Sequence, residues 1–137
     1  MAKLVLEFED DYDFQLIGIC SHVKDYRICW ELNQHIELDL VKEENFSIYI
    51  KGNEQTYPFY KFHDEESLKE FYLIGNRGEL GLLIPEESEI DYFLMIKGHI
   101  VNNEIEDLSR KISKIKSVLT TILIDTSQLK SKENLVF

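Results

Sequence analysis

The sequence predicts an α+β fold: a mixed, mostly antiparallel sheet with two main helices packed on it, in the order β-α-β-β-β-β-β-α-β. Three observations carry this. Short alternating or β-branched runs recur with turn residues between them, as strands in hairpins do. Two longer stretches shift to a spacing of three and four, as amphipathic helices do. A final strand, helix and strand fall within residues 90–125, a length that permits a right-handed parallel crossover, whereas the hairpins before it must be antiparallel. Helices of this kind bury their apolar stripe on a sheet face.

Each element has its own signal. "KLVLEFE" (3–9) alternates and reads as a strand. "DDYDFQLIGIC" begins as an acidic turn and then fits either a strand or a buried loop. "SHVKDYRICWELNQHI" reads as a helix over 22–36 with Ser21 as its N-cap. At 100° per residue, Val23, Tyr26, Cys29, Trp30, Leu32 and Ile36 form a broad apolar face. Lys24, Arg27, Glu31 and His35 form a solvated stripe, with Glu31 and His35 as an ordinary surface pair. Asn33 lies near the middle of the apolar face. A buried amide without partners costs about 1–3 kcal/mol, so Asn33 is expected to be buried and to bond main chain outside its helix, in segment 10–20.

"NFSIYIKGNEQTYPFYKF" reads as two strands joined near Gly52-Asn53, with Pro58 at an edge or a non-bonded position. "HDEESLKE" holds a short helical turn capped by Asp64, and "EFYLIGNRGELGLLI" a second hairpin turning at Asn76-Arg77-Gly78. In strand 90–97, Ile90, Tyr92, Leu94 and Ile96 share one face, and Asp91, Phe93, Met95 and Lys97 the other. "NEIEDLSRKISKI" is the clearest helix, with Asn103 and Glu106 as a capping box and Ile105, Leu108, Ile112 and Ile115 on one stripe. "SVLTTILID" is apolar on both faces and reads as a central strand. The tail ends on Leu135-Val136-Phe137, which is expected to be buried against a sheet edge of the same chain or, alternatively, in a groove on a partner.

The 137 residues make one domain, 1–137, with enough apolar material (44%) to fold without metals or disulfides. No run of about 18 apolar residues would span a membrane. "MAKLVLEFEDD" has no basic n-region or long apolar h-region, so the chain is expected in the cytoplasm, with Cys20 and Cys29 reduced. The net charge is −11, and residues 1–91 hold 21 acidic and 8 basic side chains against 5 and 7 in residues 92–137. Binding a phosphate backbone needs clustered Lys and Arg, so nucleic acid is disfavoured as a partner.

The stretch "LLIPEESEIDYFLMIKG" (82–98) raises the main question of function. Pro85 sets a turn, Glu86, Glu87 and Glu89 follow as a solvated loop, and Asp91 opens a strand. Asp91 fits an acceptor of loop amides, or else a base or ligand at a sheet rim. Ile84-Pro85-Glu86, three residues, then Ile90-Asp91-Tyr92 resembles the pattern that names the IPExxxVDY family of bacterial proteins, with Ile90 where that name has Val. "FQLIGICSHVKDYRICWELN" (14–33) and "LKSKENLVF" (129–137) are similar to it as well. The resemblance implies a class of bacterial proteins and assigns no activity.

Other candidates are weaker. Cys20, His22, Cys29 and His35 are zinc-binding types, but Cys29 and His35 point different ways on one helix, so no metal is expected. His63 and His99 read as loop polarity. "GNRG" (75–78) lacks the lysine and the helix of a P-loop, and Glu9, Asp10, Asp11 and Asp13 lack the glycine and distal glutamate of a calcium loop. No cofactor is implied. The sequence thus favours a small binding or interaction domain without catalysis of its own, whose partner is another protein or a second copy. The competing class is a small enzyme or ligand-binding protein with a pocket between helix 22–36 and the sheet, and Asp91, Arg27 or His22 at its rim.

Overall fold

The computed structural model describes residues 14–135. The elements run β1 (Phe14–Ser21), α1 (Asp25–His35), β2 (Val41–Lys42), β3 (Phe46–Ile50), β4 (Asn53–Tyr57), β5 (Phe59–Asp64), β6 (Lys69–Gly75), β7 (Tyr92–Lys97), α2 (Asn102–Ser113) and β8 (Val118–Ile124), followed by two short 3-10 turns. Six strands form one sheet in the order β2-β5-β6-β7-β1-β8, and β3-β4 is a separate hairpin. Every pairing among the described residues is antiparallel. The fold is α+β, as the sequence predicts. The opening strand read at 3–9, the acidic cluster at 9–13, and Val136 and Phe137 lie outside the described residues.

Alternation along the strands sorts the core into two layers. On one face Ile17, Ile19, Leu73, Leu94 and Ile96 pack against Ile28 and Leu32 of α1 and Ile105, Ile112 and Ile115 around α2. On the other, Leu16, Tyr72, Ile74, Phe93 and Met95 pack against Tyr57 of the small hairpin, the loop residues Leu83, Ile84 and Ile90, and Leu135. The ambiguous segment before helix α1 is thus β1, a central strand with β7 on one side and β8 on the other. β7 and β8 are both antiparallel to β1, hence parallel to each other with β1 between them.

Several local expectations are corrected. Ser21 does not cap α1, because β1 runs through it; α1 starts after Lys24 with no side-chain cap. The face assignment on α1 also shifts. Tyr26 and Trp30 are exposed at 66% and 52%, whereas Glu31 is buried, accepting from Ser117 Oγ and pairing with Arg27. Asn33 bonds main chain outside its helix in both directions, at Leu40 rather than in segment 10–20, and it is half-buried rather than buried. The β3-β4 turn sits at Lys51-Gly52, both at positive φ, one residue before the expected place. Pro58 divides what reads as one strand into β4 and β5, which belong to different sheets. Asp64 does cap a turn, accepting from the Glu66 and Ser67 amides, and that turn joins β5 to β6 as a hairpin. After Gly75 no second hairpin limb forms, only a single bridge from Arg77 to Leu82.

The capping box on α2 does not form, since the helix begins at Asn102 and leaves Asn103 exposed in its first turn. Ile105, Ile112 and Ile115 are buried as its spacing predicts. Among the described residues β8 is an edge strand, not a central one, with β1 on its one paired side. Its apolar Leu119, Ile122 and Leu123 are therefore left exposed. Among the described residues no helix is long and apolar enough to cross a membrane.

Candidate functional site

The chemistry-bearing residues converge at one end of the sheet, where β1 and β6 end and β7 begins. The geometry starts with Asn76, which is fully buried directly after β6. Its side-chain amide donates to the carbonyls of Glu87 (3.0 Å) and Ile90 (2.9 Å) and accepts from the Ile84 amide (2.8 Å). Its own main chain bonds Asp91 and Leu83. One side chain thus sets the course of the whole loop from Ile84 to Asp91. The sequence reading missed Asn76, treating it as a turn residue. The available signal was its place between the apolar end of β6 and a glycine-flanked turn, where a polar residue must be satisfied locally.

Asp91 is held from two sides. The Ser21 amide donates to one carboxylate oxygen at 2.8 Å, and Arg77 Nε donates to the other at 2.6 Å. Arg77 also donates to the Ser88 carbonyl, and the Asp91 amide donates to the Ile19 carbonyl. Asp91 therefore accepts from one strand amide and a guanidinium, not from the loop amides that the sequence suggests. Ile90 turns away from Tyr92 and Leu94 into the opposite core layer, because residue 90 precedes the strand. It packs so close to β1 that a Cβ at Gly18 would stand 2.3 Å from Ile90 Cδ1. Tyr92 buries its ring and donates its hydroxyl to the Val23 carbonyl. Burial, with the charges of Asp25 and Asp91, pushes the Tyr92 phenol up to about 12. Tyr60 donates to Asp25 at 2.5 Å, and burial with that bond pushes its phenol up as well.

Glu86 extends the loop's contacts to the tail. Its carboxylate accepts from the amide and hydroxyl of Ser131, at 2.6 and 2.8 Å. Burial works against its charge, but these bonds outweigh it and hold the carboxyl below its ordinary range. Asn134 donates to the Leu83 carbonyl, and Leu135 is fully buried beneath. The tail's expected burial within the chain holds at Leu135, which docks under the sheet rather than along an edge. The three stretches singled out in the sequence, 14–33, 84–92 and 129–137, are thereby bonded to one another around a single loop.

Between that loop and the start of α1 lies an open cleft of about 480 Å³, lined among others by His22, Lys24, Asp25, Arg77, Asp91 and Tyr92. Of the three rim candidates, the structure brings Asp91 and His22 to this cleft and leaves Arg27 outside it, on α1 beside Glu31. Asn33 is away from the cleft, fixed to Leu40. The cleft offers little reactive chemistry. Asp91, Arg77, Asp25 and Tyr92 are engaged with the chain itself. Ser21 Oγ donates to the Ser117 carbonyl at 2.6 Å and is buried. Burial, followed by Asp91 and Glu89, pushes the Cys20 thiol up, opposite to what a nucleophilic cysteine needs. Cys20 and Cys29 belong to core layers on opposite faces of the sheet, so the four zinc-binding types do not converge. His63 and His99 are exposed and distant from the cleft lining.

A second surface is opposite in character. On α1, Tyr26 and Trp30 lie one turn apart in solvent, with the Arg27 guanidinium 5.1 Å from the centre of the Trp30 ring. Fold and surfaces together define a small α+β domain with a self-bonded cleft and an exposed aromatic helix face. The chain matches no model of a known protein family and no curated protein.

Proposed function

We propose that this chain is a small cytoplasmic protein-interaction domain without catalysis of its own, and that it meets its partner through the solvent face of α1. The carrying observation is the exposure of Trp30, the chain's one tryptophan, beside Tyr26 and under Arg27. Trp, Tyr and Arg dominate the energetics of protein interfaces, since they bring large area and few rotatable bonds. An aromatic pair in water gains nothing for the fold, and a partner would bury it. The free, buried thiols of Cys20 and Cys29 support a reducing compartment. The resemblance to the IPExxxVDY family belongs to the same proposal; the residues that carry it are engaged in holding the loop, β1 and the tail together.

The ligand-binding alternative rests on the cleft and is less well supported, because Asp25, Arg77 and Asp91 in its lining already have partners within the chain. The test is affinity capture from lysate of the source cells, with mass spectrometry of proteins and small molecules. The expected result is a protein retained by the wild type and lost with Trp30→Ala. Capture of a small molecule that survives Trp30→Ala and is lost with Arg77→Ala would overturn the reading in favour of the cleft.

A further inference from the structure

The solvent face of α1 departs from the charge of the chain as a whole. The net charge is −11, yet of the exposed residues between 22 and 35 none is acidic. The two acids in that range are engaged within the fold. Asp25 accepts from Tyr60, and Glu31 is buried, accepting from Ser117 and pairing with Arg27. Lys24 and Arg27 are exposed beside Tyr26 and Trp30. The next exposed carboxylates along the chain, Glu37 and Asp39, lie beyond the end of the helix.

A second element extends this face. Ser117 Oγ lies 3.3 Å from Glu31, so the turn between α2 and β8 runs beside α1. That turn exposes Lys114 and Lys116 and contains no acid.

Resting on the reading of α1 as an interaction surface, we propose that its partner is an acidic segment of another protein. The segment lies on Tyr26 and Trp30, with its carboxylates directed at Lys24, Arg27, Lys114 and Lys116. The aromatic pair supplies the area that binding buries. The surrounding cations fix the register and select against basic partners.

Two other occupants fit this face less well. A second copy joined about a two-fold axis would set cations against cations. A head-to-tail contact with an acidic surface of the next copy need not close. A nucleic acid would run past the patch onto the rest of a chain whose net charge is −11. It also needs clustered Lys and Arg, and here Arg27 is already paired with Glu31. A short acidic segment meets the patch alone, and salt screens more distant charges beyond about 8 Å.

Trp30 is the chain's one tryptophan, so its emission reports on this face. Three probes are titrated against the full chain in dilute solution: a helical peptide of Glu, Leu and Phe, the same peptide with Lys in place of Glu, and single-stranded poly(rU). The expected result is a blue shift of Trp30 emission with the acidic peptide alone. Raised salt, and the double change Lys114→Glu with Lys116→Glu, should each weaken that binding by about tenfold or more. The salt dependence needs no variant and decides if the double change lowers the melting temperature. No response to the acidic peptide, an equal response to the lysine peptide, or a stronger one to poly(rU) overturns the proposal. A shift of Trp30 emission on concentrating the chain alone overturns it in favour of a second copy.

Capture from lysate of the source cells separates this inference from the reading beneath it. A protein lost with Trp30→Ala and with the double change is the expected result. A protein lost with Trp30→Ala but kept by the double change overturns the acidic partner and leaves α1 as the interaction surface. Retention that Trp30→Ala does not alter overturns both.

Discussion

The loop at residues 84–92 and the solvent face of α1 treat their side chains in opposite ways. In and beside the loop, the buried and half-buried polar side chains are used by the molecule itself: Asn76 holds three main-chain groups, Asp91 joins Ser21 to Arg77, and Glu86 holds Ser131. On α1, Tyr26 and Trp30 make large apolar surfaces that the fold leaves in water. A proline, three glutamates and an Asp-Tyr pair look like chemistry in a sequence. Here Glu86, Asp91 and Tyr92 tie the corner of the sheet to the tail, to β1 and to the segment before α1. The aromatic residues, which look like core, are the groups left free for something else.

That contrast predicts that changes in the loop alter stability and changes on α1 alter binding. The largest effect is expected from Asn76→Ala. It orphans the buried Ile84 amide, takes the side-chain donor from the Ile90 carbonyl and leaves the Glu87 carbonyl with the Ile90 amide alone, at a cost of about 3 kcal/mol. Urea unfolding measures this, and a midpoint close to wild type would remove Asn76 from its central place. Gly18→Ala comes next. Its new methyl group meets Ile90 at 2.3 Å, and overpacking of this kind costs about 1–3 kcal/mol.

Alkaline pH should act through Tyr92. Its folded value lies near 12 against an ordinary value of about 10. The stability associated with the protonated phenol is therefore complete below about 10 and is lost as pH rises towards 12. Unfolding monitored across that window should show a loss that Tyr92→Phe reduces. The smallest effect on stability is expected from Trp30→Ala, within about 0.5 kcal/mol of wild type, as for exposed sites without buried partners. The same change should weaken partner binding by about tenfold or more. A large drop in melting temperature would instead make Trp30 a structural residue and dissolve the contrast.

The sequence by itself determined the fold class, the positions of both helices, the alternation of β7 and the stripe Ile105, Ile112, Ile115 on α2. These follow from local periodicity, which each segment carries alone. It also pointed to Asn33 as a tie to main chain, because polar groups set among apolar ones must find local partners. Tertiary structure decided the rest. Whether an apolar, β-branched strand is central or at an edge depends on which neighbours take the adjacent places, and among the described residues β8 has β1 alone beside it. Which residues of α1 face the sheet depends on how the helix leaves β1. Extension of β1 through Ser21 delays the helix to Asp25, so Ile28 and Glu31 turn inward and Tyr26 and Trp30 outward. The role of Asn76 required knowing that Ile84, Glu87 and Ile90, eight to fourteen residues away, would return to the same point. Such long-range closure is set by the packing of the whole sheet, and no window of local sequence contains it.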